Sequence, residues 1–370
     1  GLGASKLAVP TIGGSINIIT NAADMKKGGA FGAMIGNDGF QKYSLALSTG
    51  LGESGWAFSL QGTHTLGNGY VDGTKFKGWS YFASLSKQIN KKHSIGLTAL
   101  GAPQWHHQRS YANAYTDYEK YGTKYNSDWG YLNGSEYTFR RNFYHKPKAF
   151  LNWYWTISDK TELATTAYAS IGRGGGTGPR GQINGNAEYR LPKTEDGLHR
   201  FDDMYKWNSG GSVPDFGADR ETWENVNPEV DNRKGFFADK YVNTSSYGMI
   251  RRASMNSHNW FGLISNLTHE LSETFTLTAG IDLRRYKGMH YRRVTDLLGA
   301  DAYYTNRNIN TQGYFISEEN PADPLSEMGN EDKLNYYNDG LVNWAGAYAQ
   351  LEYSKDKISA FLSLSGSNQG

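Results

Sequence analysis

The sequence has no cysteine and only 9 prolines in 370 residues. Without cysteine, a disulfide framework and a thiolate metal site are excluded. No apolar run reaches the roughly 18 residues of a membrane helix, and the mean hydropathy is −0.65, so transmembrane helices are excluded. The net charge of +2 is too small to indicate a nucleic-acid partner.

Aromatic residues and glycine are abundant instead. Aromatics make up 14% of the chain, with 26 Tyr and 10 Trp, and there are 45 Gly. Glycine-rich turns and aromatic rims fit a large β protein. A polar average does not exclude a membrane, because a transmembrane β-barrel carries its apolar band only in alternate residues.

The clearest pattern lies in residues 148–171, KAFLNWYWTISDKTELATTAYASI. Apolar and polar residues alternate on both sides of a tight turn at 158–161. This predicts a β-hairpin with one apolar and one polar face. Each strand has about ten residues, enough to cross a bilayer when tilted.

The same unit recurs along the chain and predicts eleven strands. They lie at 28–36, 42–51, 56–66, 79–89, from 94 onward, 148–158, 161–171, 259–271, 275–283, up to 353, and 358–364.

The connections between these strands are asymmetric. Every even-numbered connection is tight: GESG, NKKH, SDKT, SET and SKDK. The long ones are odd-numbered, at about 105–146, 172–256 and 285–340. Outer-membrane barrels have short periplasmic turns and long extracellular loops. The fold class expected is therefore an all-β, transmembrane antiparallel β-barrel in the bacterial outer membrane, with these three long loops extracellular.

The segment before the first strand reads GGSINIIT at residues 13–20. Gly13, Gly14, Asn17 and Thr20 resemble the end of the plug domain of TonB-dependent outer-membrane transporters. The resemblance implies that 1–25 is the C-terminal end of the plug and 26–370 the first half of the barrel. About 11 strands would then be present of the roughly 22 in such transporters.

The resemblance also implies a function. It is active import of a scarce nutrient, driven by the TonB complex through a plug segment preceding Gly1. A ferric siderophore, haem, cobalamin or similar chelate is favoured; an oligosaccharide or peptide is the alternative within the family. The implied partners are the TonB complex, outer-membrane lipid, the nutrient ligand and, in some members, a surface lipoprotein. Neither catalysis nor a cofactor is expected.

Two other classes fit parts of the pattern. A passive porin would lack a plug, and residues 13–20 argue against it. A soluble all-β carbohydrate-binding protein or enzyme would explain the loop aromatics. It predicts apolar faces turned inward and no systematic asymmetry of the loops.

One group of candidate ligand-binding residues lies in GAPQWHHQR, at Trp105, His106, His107 and Arg109. The two histidines could contact an iron chelate or haem. Adjacent residues on a strand point to opposite faces, however, so they form a poor bidentate metal site. We expect no resident metal.

The other candidates lie further along the first long segment and in the second. GRGGGTGPRG at 172–181 lacks the Lys-Ser/Thr and the strand–helix context of a phosphate loop. It is interpreted as a flexible loop base, with Arg173 and Arg180 available to an anionic ligand. Trp129 and Trp207 could stack on a sugar or macrocycle, or alternatively pack the loops together.

Overall fold

The computed structural model describes residues 21–226, 234–307 and 312–370. The segment with Gly13, Gly14, Asn17 and Thr20 lies outside the described residues. Among those described, no helix is long and apolar enough to cross a membrane.

Antiparallel strands dominate the chain. The strands are β1 (Gly28–Ile35), β2 (Gln41–Ser48), β3 (Trp56–Gly67), β4 (Phe76–Gln88), β5 (His93–Gly101), β6 (Gln104–His107), β7 (Trp129–Leu132), β8 (Ser135–Thr138), β9 (Arg141–His145), β10 (Lys148–Ser158), β11 (Thr161–Gln182), β12 (His199–Arg200), β13 (Val242–Asn243), β14 (Gly248–Glu270), β15 (Phe275–Asp296), β16 (Ala302–Thr305), β17 (Tyr314–Ile316), β18 (Tyr337–Lys355) and β19 (Ile358–Gln369). The helices are α1 (Tyr115–Tyr121), α2 (Phe201–Asn208), α3 (Trp223–Val226) and α4 (Lys234–Phe237), with 3-10 turns at Ala22–Asp24, Glu188–Arg190 and Pro214–Phe216.

One 13-stranded sheet organises the molecule. Its strand order is β1-β2-β3-β4-β5-β10-β11-β14-β15-β18-β19, with β6 and β9 joined at one margin. These eleven consecutive strands correspond one by one to the eleven predicted, so the all-β antiparallel class is confirmed. Two small sheets, β12-β7-β8 and β13-β16-β17, belong to the long connections.

The two faces of the sheet have opposite chemistry. On the face we call the apolar face, Leu97 lies between Leu85 and Leu151 in register, and its side chain is 50% exposed. On the other, the polar face, Ser84 and Thr98 are buried and their hydroxyl oxygens lie 3.1 Å apart. Apolar residues on the exposed face and polar residues on the covered one are the reverse of a soluble protein and typical of a barrel in lipid.

The start of the described chain lies on the polar face. Ser86 Oγ donates to Asn21 Oδ1 at 2.8 Å, and Ala22 beside it is fully buried. The chain therefore enters the sheet from the side that faces away from the exposed apolar residues.

Aromatic side chains line the apolar face near the tight turns. His93 stacks on Trp155 and Trp153, with ring centroids 5.5 and 6.0 Å apart. Lys87 Nζ lies 4.9 Å from the centroid of the Trp56 ring. Such amphipathic rings are typical of the interface between lipid and water.

The strands extend further than the sequence predicts at the end with the long connections. β11 continues to Gln182, β15 continues to Asp296, and β14 already begins at Gly248. The interpretation of 172–181 as a flexible loop base is wrong, because Gly172 pairs with His258 and Gly181 with Met249 in unbroken register. Because glycine has no side chain, this part of β11 shows no alternation of apolar and polar residues in the sequence. Side chains of β9 and β14 pack against it instead.

The long connections are compact rather than loose. A core cluster built around α2 contains Phe201, Met204 and Trp207, all fully buried, together with Met249 of β14 and Phe139, which lies just after β8. A second cluster joins Ile250, Val294 and Tyr303. These cores hold the segments that carry the candidate site.

Candidate ligand-binding site

A cavity of about 590 Å³ opens at the long-connection end of the sheet. We call it the Trp105 cavity. Pairing of β6 with β9 sets Trp105 opposite Phe143 and His107 opposite Arg141, which places these four side chains on one face. The cavity is also lined by Lys75 just before β4, by Arg251 of β14 and by the β7–β8 hairpin, which supplies Tyr131, Glu136, Tyr137 and Thr138.

Cations and aromatic rings alternate around this cavity. The Arg141 guanidinium lies 3.9 Å from the centroid of Trp105, and the rings of Trp105 and His107 are 5.2 Å apart. Lys75 Nζ pairs with Glu136 at 2.9 Å. Arg141 has no carboxylate oxygen within 4.0 Å among the described residues, and its Nε is buried without a hydrogen-bond partner there.

Arg251 closes the far side. Its guanidinium lies 4.6 Å from the centroid of Tyr137, and its Nη2 is 3.8 Å from the carboxylate of Asp296. Tyr137 donates its hydroxyl hydrogen to the same carboxylate at 2.9 Å. Burial raises the pKa of Tyr137 well above its ordinary value, so the hydroxyl stays protonated.

The protonation states in the cavity follow from burial and from neighbouring cations. Burial lowers the pKa of His107 to about 3, with Arg141, Arg251 and Lys75 acting in the same direction. Burial and Arg251 lower the pKa of Arg141 to about 10. At neutral pH the imidazole is therefore neutral and the guanidinium charged, so the cavity offers a flat aromatic wall beside a cation with no acidic partner.

The similar solved structures named below share the fold over only part of their own length. The ferripyoverdine receptor of the outer membrane of Pseudomonas aeruginosa, bound to ferripyoverdine, matches with a TM-score of 0.55 at 10% identity, over 93% of this chain and 38% of that one. The closed form of the ferric-catecholate import receptor Fiu from E. coli K12 matches with a TM-score of 0.53 at 12% identity, over 93% and 41%. No family model and no curated protein matches the sequence.

This chain has the fold of the TonB-dependent outer-membrane receptors. The predicted resemblance is thereby confirmed as a resemblance of fold. The chain spans about two fifths of the receptors it matches, 41% of Fiu and 38% of the ferripyoverdine receptor.

Within this receptor fold, the structure brings two of the predicted site residues, Trp105 and His107, into one cavity. His106 lies on the opposite face of β6, where its Nδ1 is 3.0 Å from Gln104 Oε1. It borders a neighbouring cavity of about 500 Å³, which Trp105 and His107 also line. The two adjacent histidines thus border one cavity, although their side chains lie on opposite faces of β6.

The other predicted residues are dispersed. Arg109 is exposed and donates to the Tyr118 hydroxyl at 3.2 Å, and Trp129 packs on Tyr131 with centroids 5.3 Å apart. Trp207 is fully buried, and its Nε1 donates to the Ala218 carbonyl at 3.0 Å, which leaves no surface for a ligand.

The two predicted arginines of the glycine-rich strand have different surroundings. Arg173 donates at 2.9 Å each to the carbonyls of Gly172 and His258 and to Asn259 Oδ1, so the chain itself occupies its donors. Arg180 donates from Nε to the Tyr303 hydroxyl at 2.8 Å and has no carboxylate partner among the described residues.

Several cavity residues were not predicted, namely Arg141, Arg251 and Tyr137. β14 begins at Gly248, so Arg251 belongs to a strand that the sequence predicts only from residue 259. The paired part of β11 is rich in glycine and gives no alternating pattern that would indicate this extension. No group of three or more metal-ligating His, Asp or Glu side chains occurs in the described part of the chain.

Proposed function

We propose that this chain forms part of a TonB-dependent transporter in the bacterial outer membrane that imports a scarce nutrient ligand. The observation that carries the proposal is the reversed polarity of the sheet, with apolar side chains such as Leu97 exposed and Ser84 and Thr98 covered. Together with the receptor fold, this polarity favours a barrel whose strands lie in lipid. It also favours binding of the ligand at the long connections. The TonB complex, outer-membrane lipid and the nutrient ligand are the proposed partners.

We further propose a chelate of the siderophore, haem or cobalamin type as the ligand. Support comes from the similar receptors, whose names specify ferric catecholate and ferripyoverdine. The Trp105 cavity suits a flat, partly anionic ligand, since Trp105 offers a ring face and Arg141 an unpaired cation. The ligand would then pass to the plug, and force from the TonB complex on the plug would complete import. No catalytic step is needed.

The test uses the full-length protein purified from its native membrane in detergent. Metal analysis and mass spectrometry of the co-purified material should find a metal in a defined chelate. Uptake of that compound should stop when the proton gradient is collapsed. A metal-free glycan or peptide would instead support the alternative substrates, and a protein that stays in solution without detergent would overturn the membrane role.

A pair of variants tests the cavity. Arg141→Gln removes the unpaired cation and should lower affinity for the co-purified ligand about tenfold, the effect of one lost charged hydrogen bond. Arg190→Gln changes an exposed arginine outside the cavity and should leave affinity unchanged. Equal affinities of the two variants for the ligand would show that the ligand does not bind in the Trp105 cavity.

A further inference from the structure

Four arginines gather on the polar side of the extended strands, away from the Trp105 cavity. Three lie on the strands, and Arg140 lies between β8 and β9. We call Arg140, Arg180, Arg252 and Arg292 the arginine cluster. In the sheet, Arg252 pairs across from Gly178, while Ser254 pairs with both Gly176 and Arg292. Because residues two apart on a strand share a face, Arg180, Arg252 and Arg292 project to the same side.

Shared neighbours show how closely the guanidinium groups approach. Ser254 Oγ accepts from Arg252 Nη1 at 3.0 Å and from Arg292 Nε at 3.4 Å. A Cβ placed on Gly178 would lie 3.1 Å from Arg252 Nη2 and 3.3 Å from Arg140 Nη1. The guanidinium groups of Arg140 and Arg252 thus both lie beside Gly178. Those of Arg252 and Arg292 donate to the same hydroxyl oxygen, that of Ser254.

The cluster has little compensating negative charge. Glu188 pairs with Arg140 at 2.9 Å. For Arg180, Arg252 and Arg292, the described parts of the chain supply no carboxylate oxygen within 4.0 Å. Their other contacts are neutral: Arg180 donates to Tyr303, and the Arg292 guanidinium lies 5.2 Å from the centroid of Tyr336.

Apart from the Glu188–Arg140 pair, the described residues offset little of the electrostatic repulsion within the cluster. Burial lowers the pKa of Arg252 to about 10, with Arg292, Arg140 and Arg180 acting in the same direction. The group is still charged at neutral pH. Arg293 is different, because its guanidinium pairs with Glu331 at 3.1 Å.

There is room beside these charges. A Cβ placed on Gly176 would meet no heavy atom within 4 Å. Gly176 lies on the same strand face as Gly178 and opposite Ser254. The open space therefore adjoins the hydroxyl that Arg252 and Arg292 share.

We propose that the arginine cluster binds an anionic ligand carrying two or more carboxylate or phosphate groups. Guanidinium groups recognise such oxyanions through paired N–H donors. Several arginines around one open space favour a ligand with several oxyanions over a single one. The inference rests on the proposed transport function for its biological meaning, since it names the charge class of the ligand, but binding itself is measurable without transport.

The test is calorimetric titration of the full-length protein in detergent at low salt. The probes are citrate, pyrophosphate and, as a monovalent reference, acetate. Citrate or pyrophosphate should bind at least tenfold more tightly than acetate, and raising the salt should weaken that binding. The preferred probe tells carboxylate from phosphate. Equal affinity for all three probes would overturn the proposal.

Variants locate the binding. Arg252→Gln and Arg292→Gln should each weaken binding of the preferred probe at least tenfold. Arg285→Gln, which changes an exposed arginine on the apolar face of β15, should not change it more than twofold. Retained fast mobility of unheated samples on a denaturing gel shows that each variant keeps its barrel. Unchanged affinity in both cluster variants would overturn the proposal.

The outcome is separable from that for transport. Citrate or pyrophosphate binding without energy-dependent uptake of any co-purified ligand would support the cluster and contradict the transport function. Energy-dependent uptake without preferential binding of citrate or pyrophosphate would support the transport function and contradict the arginine cluster as a binding site.

Discussion

The two ends of the sheet are stabilised in different ways. At the tight-turn end, large side chains stay exposed on the apolar face, as with Trp56 at 48% and Phe275 at 40%. At the long-connection end, Trp207 and Arg293 are fully buried in cores that the connections themselves provide. The apolar side chains of the tight-turn end depend on the surrounding medium for their contacts. At the long-connection end, the protein itself provides the apolar contacts.

This difference explains why both proposed binding sites lie at the long-connection end. A lipid-facing surface must avoid charge, whereas packed connections can bury arginines beside tyrosines and carboxylates. Arg293 shows this directly: its guanidinium pairs with Glu331, which also accepts a hydrogen bond from the Tyr291 hydroxyl at 2.7 Å. Both the Trp105 cavity and the arginine cluster lie in this self-supporting region.

The largest expected effect compares two tryptophans. Trp207→Ala should destabilise the long-connection end by about 3–5 kcal/mol, because it empties a fully buried site. Trp56→Ala removes a side chain that is 48% exposed and should cost far less in detergent. Limited proteolysis of the long connections measures the first effect. Equal resistance of Trp207→Ala and wild-type protein would contradict the packed core.

A charge on the apolar face tests the other end. Leu97→Arg places a cation between Leu85 and Leu151 and should cost roughly 2–4 kcal/mol in a bilayer. Leu97→Phe is the matched control and should be tolerated. Urea unfolding of protein folded into lipid vesicles measures both. A neutral effect of Leu97→Arg would mean that this face does not contact lipid.

Two glycines of β11 give a smaller contrast. A Cβ on Gly174 would lie 2.5 Å from the Phe143 carbonyl oxygen, whereas one on Gly176 meets nothing within 4 Å. Gly174→Ala should therefore displace β9 and cost about 1–3 kcal/mol, and Gly176→Ala should be near neutral. Hydrogen exchange of the amides of β9 reads out the difference. Equal exchange in the two variants would contradict this close approach.

The smallest effect is a pH dependence at the Trp105 cavity. The folded-state pKa of His107 is about 3, below its ordinary value, so the stability that depends on neutral His107 is complete above about pH 6.5 and is lost as pH falls towards 3. Local opening of β6 should rise roughly tenfold between pH 6.5 and 5. Hydrogen exchange corrected for its intrinsic pH dependence measures this opening, and His107→Gln should flatten the profile. A profile unchanged by His107→Gln would exclude this residue as the cause.

Much of the sheet could be predicted because its periodicity is local. The hairpin of β10 and β11 follows from the alternation around 158–161, and each tight turn marks a strand reversal without reference to distant residues. The resemblance in residues 13–20 lies outside the described structure and stays a prediction, as do the domain limits 1–25 and 26–370.

The site could be predicted only in part. Trp105 and His107 were found because they lie within a few residues of a recognisable strand. Arg141 and Arg251 are 110 residues apart in sequence and meet only through the pairing of β9, β11 and β14. For Trp207 the sequence left two alternatives open, stacking on a ligand or packing of the loops, and α2 buries the side chain completely.

The sequence by itself determined the eleven strands, their order and the contrast between their faces, because alternation and tight turns act over a few neighbouring residues. Tertiary structure alone decided how far β11, β14 and β15 extend, which arginines converge and which of them are paired. Those outcomes depend on register across glycines that carry no side-chain signal, and on charges brought together from segments far apart in the chain.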